Sequence, residues 1–164
     1  MRKTQYNWLL ALILIAAVHA LPAHAIDMYV SGGWTTLTIT ASDLVGEAGS
    51  GLVSTYDSDP ATAALDVANT SSSSDAWRIE VRRSESASWS DSCRVLIRRT
   101  SDGSGAGFVS GGTIYQEVGL IGAAFFDGSG DRLGINLQVR IDGVSVSDGP
   151  SMYSSDLVLT VVDL

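Results

Sequence analysis

Beyond residue 25, apolar and polar residues alternate one by one in short runs, and no window of ten or more residues carries the 3.6-residue apolar period of an amphipathic helix. One-by-one alternation predicts half-buried β-strands. Residues 34–40 set Leu37 and Ile39 on one face and threonines on the other, and residues 64–68 turn Leu65 and Val67 inward. Trp77, Ile79 and Val81 alternate with Arg78, Glu80 and Arg82, while Cys93, Val95 and Ile97 alternate with Arg94, Leu96 and Arg98; these two strands are expected to pair. Further strands are expected over 113–118 and 120–126, through Ile135, Leu137, Val139 and Ile141, and over a last segment with Leu157, Leu159 and Val161 on one face. Polar and glycine-rich turns separate these segments, and residues 46–60 read as a mobile insertion. Seven to eight short strands with such turns predict an all-β fold, an immunoglobulin-like or Greek-key β-sandwich. A single domain over 41–164 is expected, preceded by an N-terminal strand within 26–40.

The opening of the chain is different in kind. Arg2 and Lys3 precede an apolar run over residues 8–20, and Ala23-His24-Ala25 offers small residues at the spacing of a cleavage site. Residues 1–25 therefore read as a secretory signal peptide. The apolar run is short against the roughly 20 residues of a bilayer-spanning helix, so no membrane span is expected after cleavage. Cleavage after Ala25 removes His19, His24 and Lys3, the only imidazoles and the only side-chain amine of the chain. The 139 remaining residues can bury a single core. Taking Arg2 and Lys3 from the ten basic residues leaves eight against 18 acidic ones, a net charge of −10. Nucleic acid is thus not an expected partner. The expected location is outside the cytoplasm, secreted through a periplasm to the cell surface. Cys93 stands alone, which rules out an intrachain disulfide and is read as a buried thiol.

Composition also narrows the chemistry. Ser-His-Asp and Cys-His catalysis need an imidazole, histidine zinc sites need the same group, and a Schiff base needs a lysine. With these gone the chain is not expected to be an enzyme or to hold a cofactor. A carboxylate-dependent glycoside hydrolase, which needs two facing acids, is the residual alternative. Asp127-Gly-Ser-Gly-Asp131 admits a calcium reading through Asp127 and Asp131, yet the same residues make a plain turn. Six of the eight arginines fall between Arg78 and Arg99. On paired strands Arg78, Arg82, Arg94 and Arg98 would share one outer face, suited to an acidic glycan or an acidic neighbouring subunit, or merely solvated. Trp77 is expected in the core and Trp89, between serines, on the surface. Trp89, Tyr115 and the arginine face would serve a monomeric, lectin-like carbohydrate-binding domain.

Residues 149–161, Gly-Pro-Ser-Met-Tyr-Ser-Ser-Asp-Leu-Val-Leu-Thr-Val, resemble the closing segment of secreted spore coat protein U-like and related fimbrial subunits. There a Gly/Pro turn and a Tyr-Ser-Asp stretch lead into a terminal strand of alternating Val and Thr. The resemblance implies a structural or adhesive subunit held by a periplasmic chaperone and assembled through an usher into a surface fibre or coat. Strand addition between like or sister subunits is the joining step. The donor would be residues 26–40, with Met28, Val30, Leu37 and Ile39 as inserted side chains, and Leu157, Leu159 and Val161 of the last strand are the further interaction residues expected. This chain has one serine more in that stretch and lacks the cysteines usual in those families.

Overall fold

The computed structural model describes residues 25–84 and 89–164, so the segment read as a signal peptide lies outside the described residues up to position 24. Among the described residues ten strands form: β1 (Asp27–Gly32), β2 (Thr55–Asp57), β3 (Ala63–Ala68), β4 (Ala76–Arg83), β5 (Arg94–Arg99), β6 (Val109–Gly111), β7 (Gln116–Glu117), β8 (Ala123–Ser129), β9 (Arg132–Asp142) and β10 (Leu157–Asp163). One sheet has the order β1-β3-β9-β5-β7, with β2 beside the second half of β9, and the other has the order β10-β4-β8-β6. Every pairing is antiparallel. The two sheets pack as the expected all-β sandwich.

From β3 onward each strand is followed by one in the opposite sheet. Inward positions come from strict alternation: Ala63, Leu65 and Val67 on β3, Trp77, Ile79 and Val81 on β4, Val95 and Ile97 on β5, and Ile135, Leu137 and Val139 on β9. On β8 a register shift opposite Ile79 and Glu80 lets the adjacent Phe125 and Phe126 both face the core. Their rings meet edge to face at 4.9 Å, and Phe126 meets Trp77 at 6.1 Å.

Three expectations about the strands are corrected. Residues 34–40 do not form a strand: Gly32 and Gly33, both at positive φ, end β1, and Thr40 caps a 3₁₀ turn at Ala41–Asp43, its hydroxyl accepting the Ser42 N–H at 3.3 Å and its own N–H donating to Asp43 Oδ2 at 2.7 Å. The edge of β3 is already taken by Asp27–Gly32, so the threonine alternation finds no partner. Strands β4 and β5 do not pair either. They lie in opposite sheets, β4 between β10 and β8, β5 between β9 and β7. Residues 46–60 are not a loose insertion, since Leu44 bridges to Leu52 and β2 pairs with β9.

A glycine-rich loop at one end is held by two buried arginines. Arg132 donates to the carbonyls of Asp102, Gly103 and Gly105 at 2.6 to 3.2 Å, and Arg99 donates to those of Gly111 and Ser101 and to the Asp102 carboxylate. Each guanidinium thereby satisfies loop carbonyls that the sheets cannot reach. Gly103 and Gly105 have positive φ and run so close to the β8–β9 backbone that a Cβ would strike it.

Gly128 sits opposite Trp77 in the β4–β8 ladder, and the indole fills the place a side chain would take. Gly128→Ala should therefore lower the stability of the purified protein by about 1–3 kcal/mol through overpacking, read as a lower urea midpoint at an unchanged slope.

Candidate functional site: outer faces and open edges

On the outer face of the larger sheet, β5, β9, β2 and the β6–β7 connection bring four polar side chains together. The guanidinia of Arg140 and Arg98 lie over the Tyr115 ring at 4.0 and 4.8 Å. Tyr115 donates its hydroxyl to Asp57 Oδ1 at 2.8 Å, and Arg140 clasps both Asp57 oxygens at 2.7 and 2.8 Å. Arg98 donates to Gln138 Oε1 at 2.8 Å. Hydrogen bonding from Arg140 holds the Asp57 carboxyl below its usual range, while burial pushes the Tyr115 phenol up. Nearby Arg94 pairs with Asp142, which also accepts the Thr55 hydroxyl at 2.7 Å.

The expected arginine face is thus split. Arg94 and Arg98 point out from the larger sheet, whereas Arg78 and Arg82 point out from the smaller one. The reason is the sheet change between β4 and β5. Arg78 is tied to Asp127 at 2.7 Å. Arg82 lines a shallow depression of about 190 Å³ with Glu80, Gly122, Val158 and Thr160.

The residues proposed for carbohydrate stacking are engaged inside the chain. Trp89 is half-buried against the core rather than exposed, donates its indole N–H to the Cys93 carbonyl at 2.8 Å, and has the Arg83 guanidinium 5.7 Å from its ring centre. Cys93, half-buried, has its thiol pushed up by burial. Tyr115 is covered by two guanidinia. Asp127 and Asp131 do not act together: Asp127 faces Arg78, and Asp131 accepts the Thr70 N–H and hydroxyl at 2.9 and 2.7 Å. Among the described residues no cluster of three or more metal-ligating side chains exists, and no helix is long and apolar enough to cross a membrane.

What the faces keep to themselves, the edges leave open. Strands β1 and β10 are the outer strands of the two sheets on the same flank, and among the described residues each has one ladder partner. Met28 packs against the core, while Tyr29 and Val30 are exposed. Leu157, Leu159 and Val161 face the core from β10. Of the other two segment residues, Leu37 is half-buried and Ile39 exposed, both in irregular chain. Neither β1 nor β10 contains lysine or proline, or carries a bulge in its ladder, the usual devices that blunt a sheet edge. The arginines of the loop clamp, Arg99 above all, went unseen in the sequence; the signal was Arg99 falling in phase with Val95 and Ile97.

Comparison with protein-family models, curated proteins and solved structures finds no match.

Asp57, Asp142 and Asp148 are all held below the usual carboxylate range, Asp57 by Arg140, Asp142 by the Thr55 hydroxyl and Asp148 by the hydroxyls of Ser90 and Ser92. A carboxyl whose folded value is depressed stabilises the fold fully above its unfolded value, near pH 4, and loses that contribution as the pH falls through the folded value. Urea midpoints should accordingly fall below about pH 4, and Asp57→Asn should make that acid limb shallower. An identical limb in the variant would count against the Arg140–Tyr115–Asp57 linkage.

Proposed function

We propose that this chain is a structural or adhesive subunit of an extracellular fibre or coat, joined to its neighbours by strand addition, with β1 as the exchanged strand. One observation carries this reading. Among the described residues β1 is hydrogen-bonded in a ladder to β3 only, in a six-residue register from Asp27↔Ala68 to Gly32↔Ala63, and it is followed by the long connection 33–54 before β2 begins. With the Leu44–Leu52 bridge, the 3₁₀ turn and the Trp34 contact released, that connection, fully extended, reaches roughly 70 Å at about 3.3 Å per residue. A strand on such a tether can leave its own β3 and take the identical edge on another copy, with every ladder bond and the Met28 contact remade. Passed one way from copy to copy, rather than reciprocally within a pair, the exchange is heterologous and propagates unless it closes into a ring.

The resemblance of residues 149–161 to spore coat protein U-like and fimbrial subunits supports the same reading. So does the engagement of Trp89, Tyr115 and the arginines within the chain, which takes away the exposed platform a lectin would use. On this reading the bare β3 edge before exchange is what a periplasmic chaperone would cover, and export of the chain is part of the proposal.

Deleting residues 26–32 from the mature protein should leave the β3 edge open, and the chain should then aggregate or fail to fold unless a synthetic peptide of residues 26–33 is added. The intact mature protein, refolded at high concentration, should show a ladder of oligomers by size exclusion with light scattering. A deletion variant that stays a folded monomer, beside an intact protein that never oligomerises, would sink the reading.

A further inference from the structure

Strand β10 pairs with β4 from Leu157↔Arg83 to Asp163↔Trp77. The bonds just outside the ladder fix its phase: Ser84 N–H donates to the Asp156 carbonyl at 2.8 Å, and Leu164 N–H donates to the Ala76 carbonyl at 3.1 Å. In an antiparallel ladder hydrogen-bonded and non-bonded pairs alternate. Val158, Thr160 and Val162 therefore spend their main-chain groups on β4, and Leu157, Leu159, Val161 and Asp163 turn theirs to the open edge. The side chains of Leu157, Leu159 and Val161 point to the core, and Thr160 points out.

We propose that this edge binds the same edge of a second copy, β10 against β10, antiparallel about a two-fold axis through Thr160. The two four-stranded sheets become one sheet of eight. About that axis Leu159 faces Val161 of the other copy and Leu157 faces Asp163, and all four carry outward-turned N–H and C=O groups. The hydrogen-bonding phase is met without moving β4. On the outer side Val158 faces Val162, and Thr160 faces itself. Slipping by one residue sends the core-facing side chains to the wrong side, and slipping by two shortens the ladder.

Charge favours the same register. Asp163 is the strand's one charged residue, and in the pair it comes level with Leu157 and, one strand further on the same side, with Arg83 of the other copy. Each acidic end thus lies two strands from the arginine whose guanidinium covers Trp89. A second copy is the occupant that supplies both the matched phase and this placing of opposite charges. The contact uses an edge that exchange of β1 leaves free, and it stands whether or not β1 is exchanged.

The test is disulfide trapping in a Cys93→Ser background. Thr160→Cys would place two thiols at a non-hydrogen-bonded pair, where Cα atoms lie about 4.5 Å apart, within disulfide range. Protein at about 100 μM suits a contact smaller than the roughly 1,200 Å² of a standard interface. Under mild oxidation Thr160→Cys should give a covalent dimer at least tenfold faster than Met152→Cys, an exposed control. Val158→Cys should not link to itself but should link to Val162→Cys when the two are mixed. Leu159→Pro, which removes an N–H that β4 does not use, should abolish trapping while the circular dichroism of the monomer is kept. Thr160→Cys that links no faster than the control overturns the proposal. So does linkage of Thr160→Cys to Val30→Cys in its place, which would put a neighbour's β1 on this edge. Trapping in a protein that never exchanges β1 supports this contact and counts against the exchange alone.

Discussion

The sandwich depends on one constraint of its winding. From β3 onward no strand is followed by a neighbour in its own sheet, so each turn must carry the chain across the core and the pairing partners arrive from far away in sequence. Closing such a fold requires β9, the eleven-residue strand, to receive β3 and β2 on one side and β5 on the other. The same winding leaves the first and last strands, β1 and β10, as outer strands of opposite sheets on one flank. Open backbone there follows from the order in which the strands are laid down.

Turns that cross a core are costly where they are rich in glycine, because the chain gives up much conformational freedom and its carbonyls have no ladder to join. Arg99 and Arg132 meet that problem in the 101–107 loop. A guanidinium has five donors in a plane, so one side chain can serve several carbonyls at once while its stem stays against the core. Placing arginine at a buried position is tolerated here because its donors meet loop carbonyls and, for Arg99, the Asp102 carboxylate. The loop and the β8–β9 turn are thereby fixed to each other, which in turn sets where β9 begins.

Much of this was legible in the sequence, and the rest was hidden for definable reasons. Alternation reported the inward side of β3, β4, β5, β9 and β10 correctly, including Leu157, Leu159 and Val161. It carries parity and nothing about which sheet a strand joins, so β4 and β5, with matching patterns, looked like neighbours although they face each other across the core. The arginine face failed with that pairing. Residues 34–40 show a cleaner period than β1, yet a strand needs an edge to join, and the β3 edge was occupied by Asp27–Gly32. Strands of two or three residues, β2, β6 and β7, are too short to display a period. Trp89 sits among serines, and polar neighbours in sequence did not reveal that its ring lies on the core.

The two outer faces and the flank differ in what they still have to offer a partner. On the faces Arg78, Arg94 and Arg140 each meet a carboxylate of the same chain, and Tyr115 gives its hydroxyl to Asp57. A ligand binding there would have to displace those contacts and would gain only the difference. On the flank, the odd-numbered residues of β10 hold main-chain donors and acceptors that have no partner strand among the described residues, so an added strand gains its hydrogen bonds without breaking any ladder bond described within the sandwich. The proposed one-way exchange of β1 and the proposed self-pairing of β10 would also differ in symmetry, the first able to continue from copy to copy and the second closed. A subunit using both would therefore extend in one direction and pair in another, and a single flank of the sandwich would serve the two contacts.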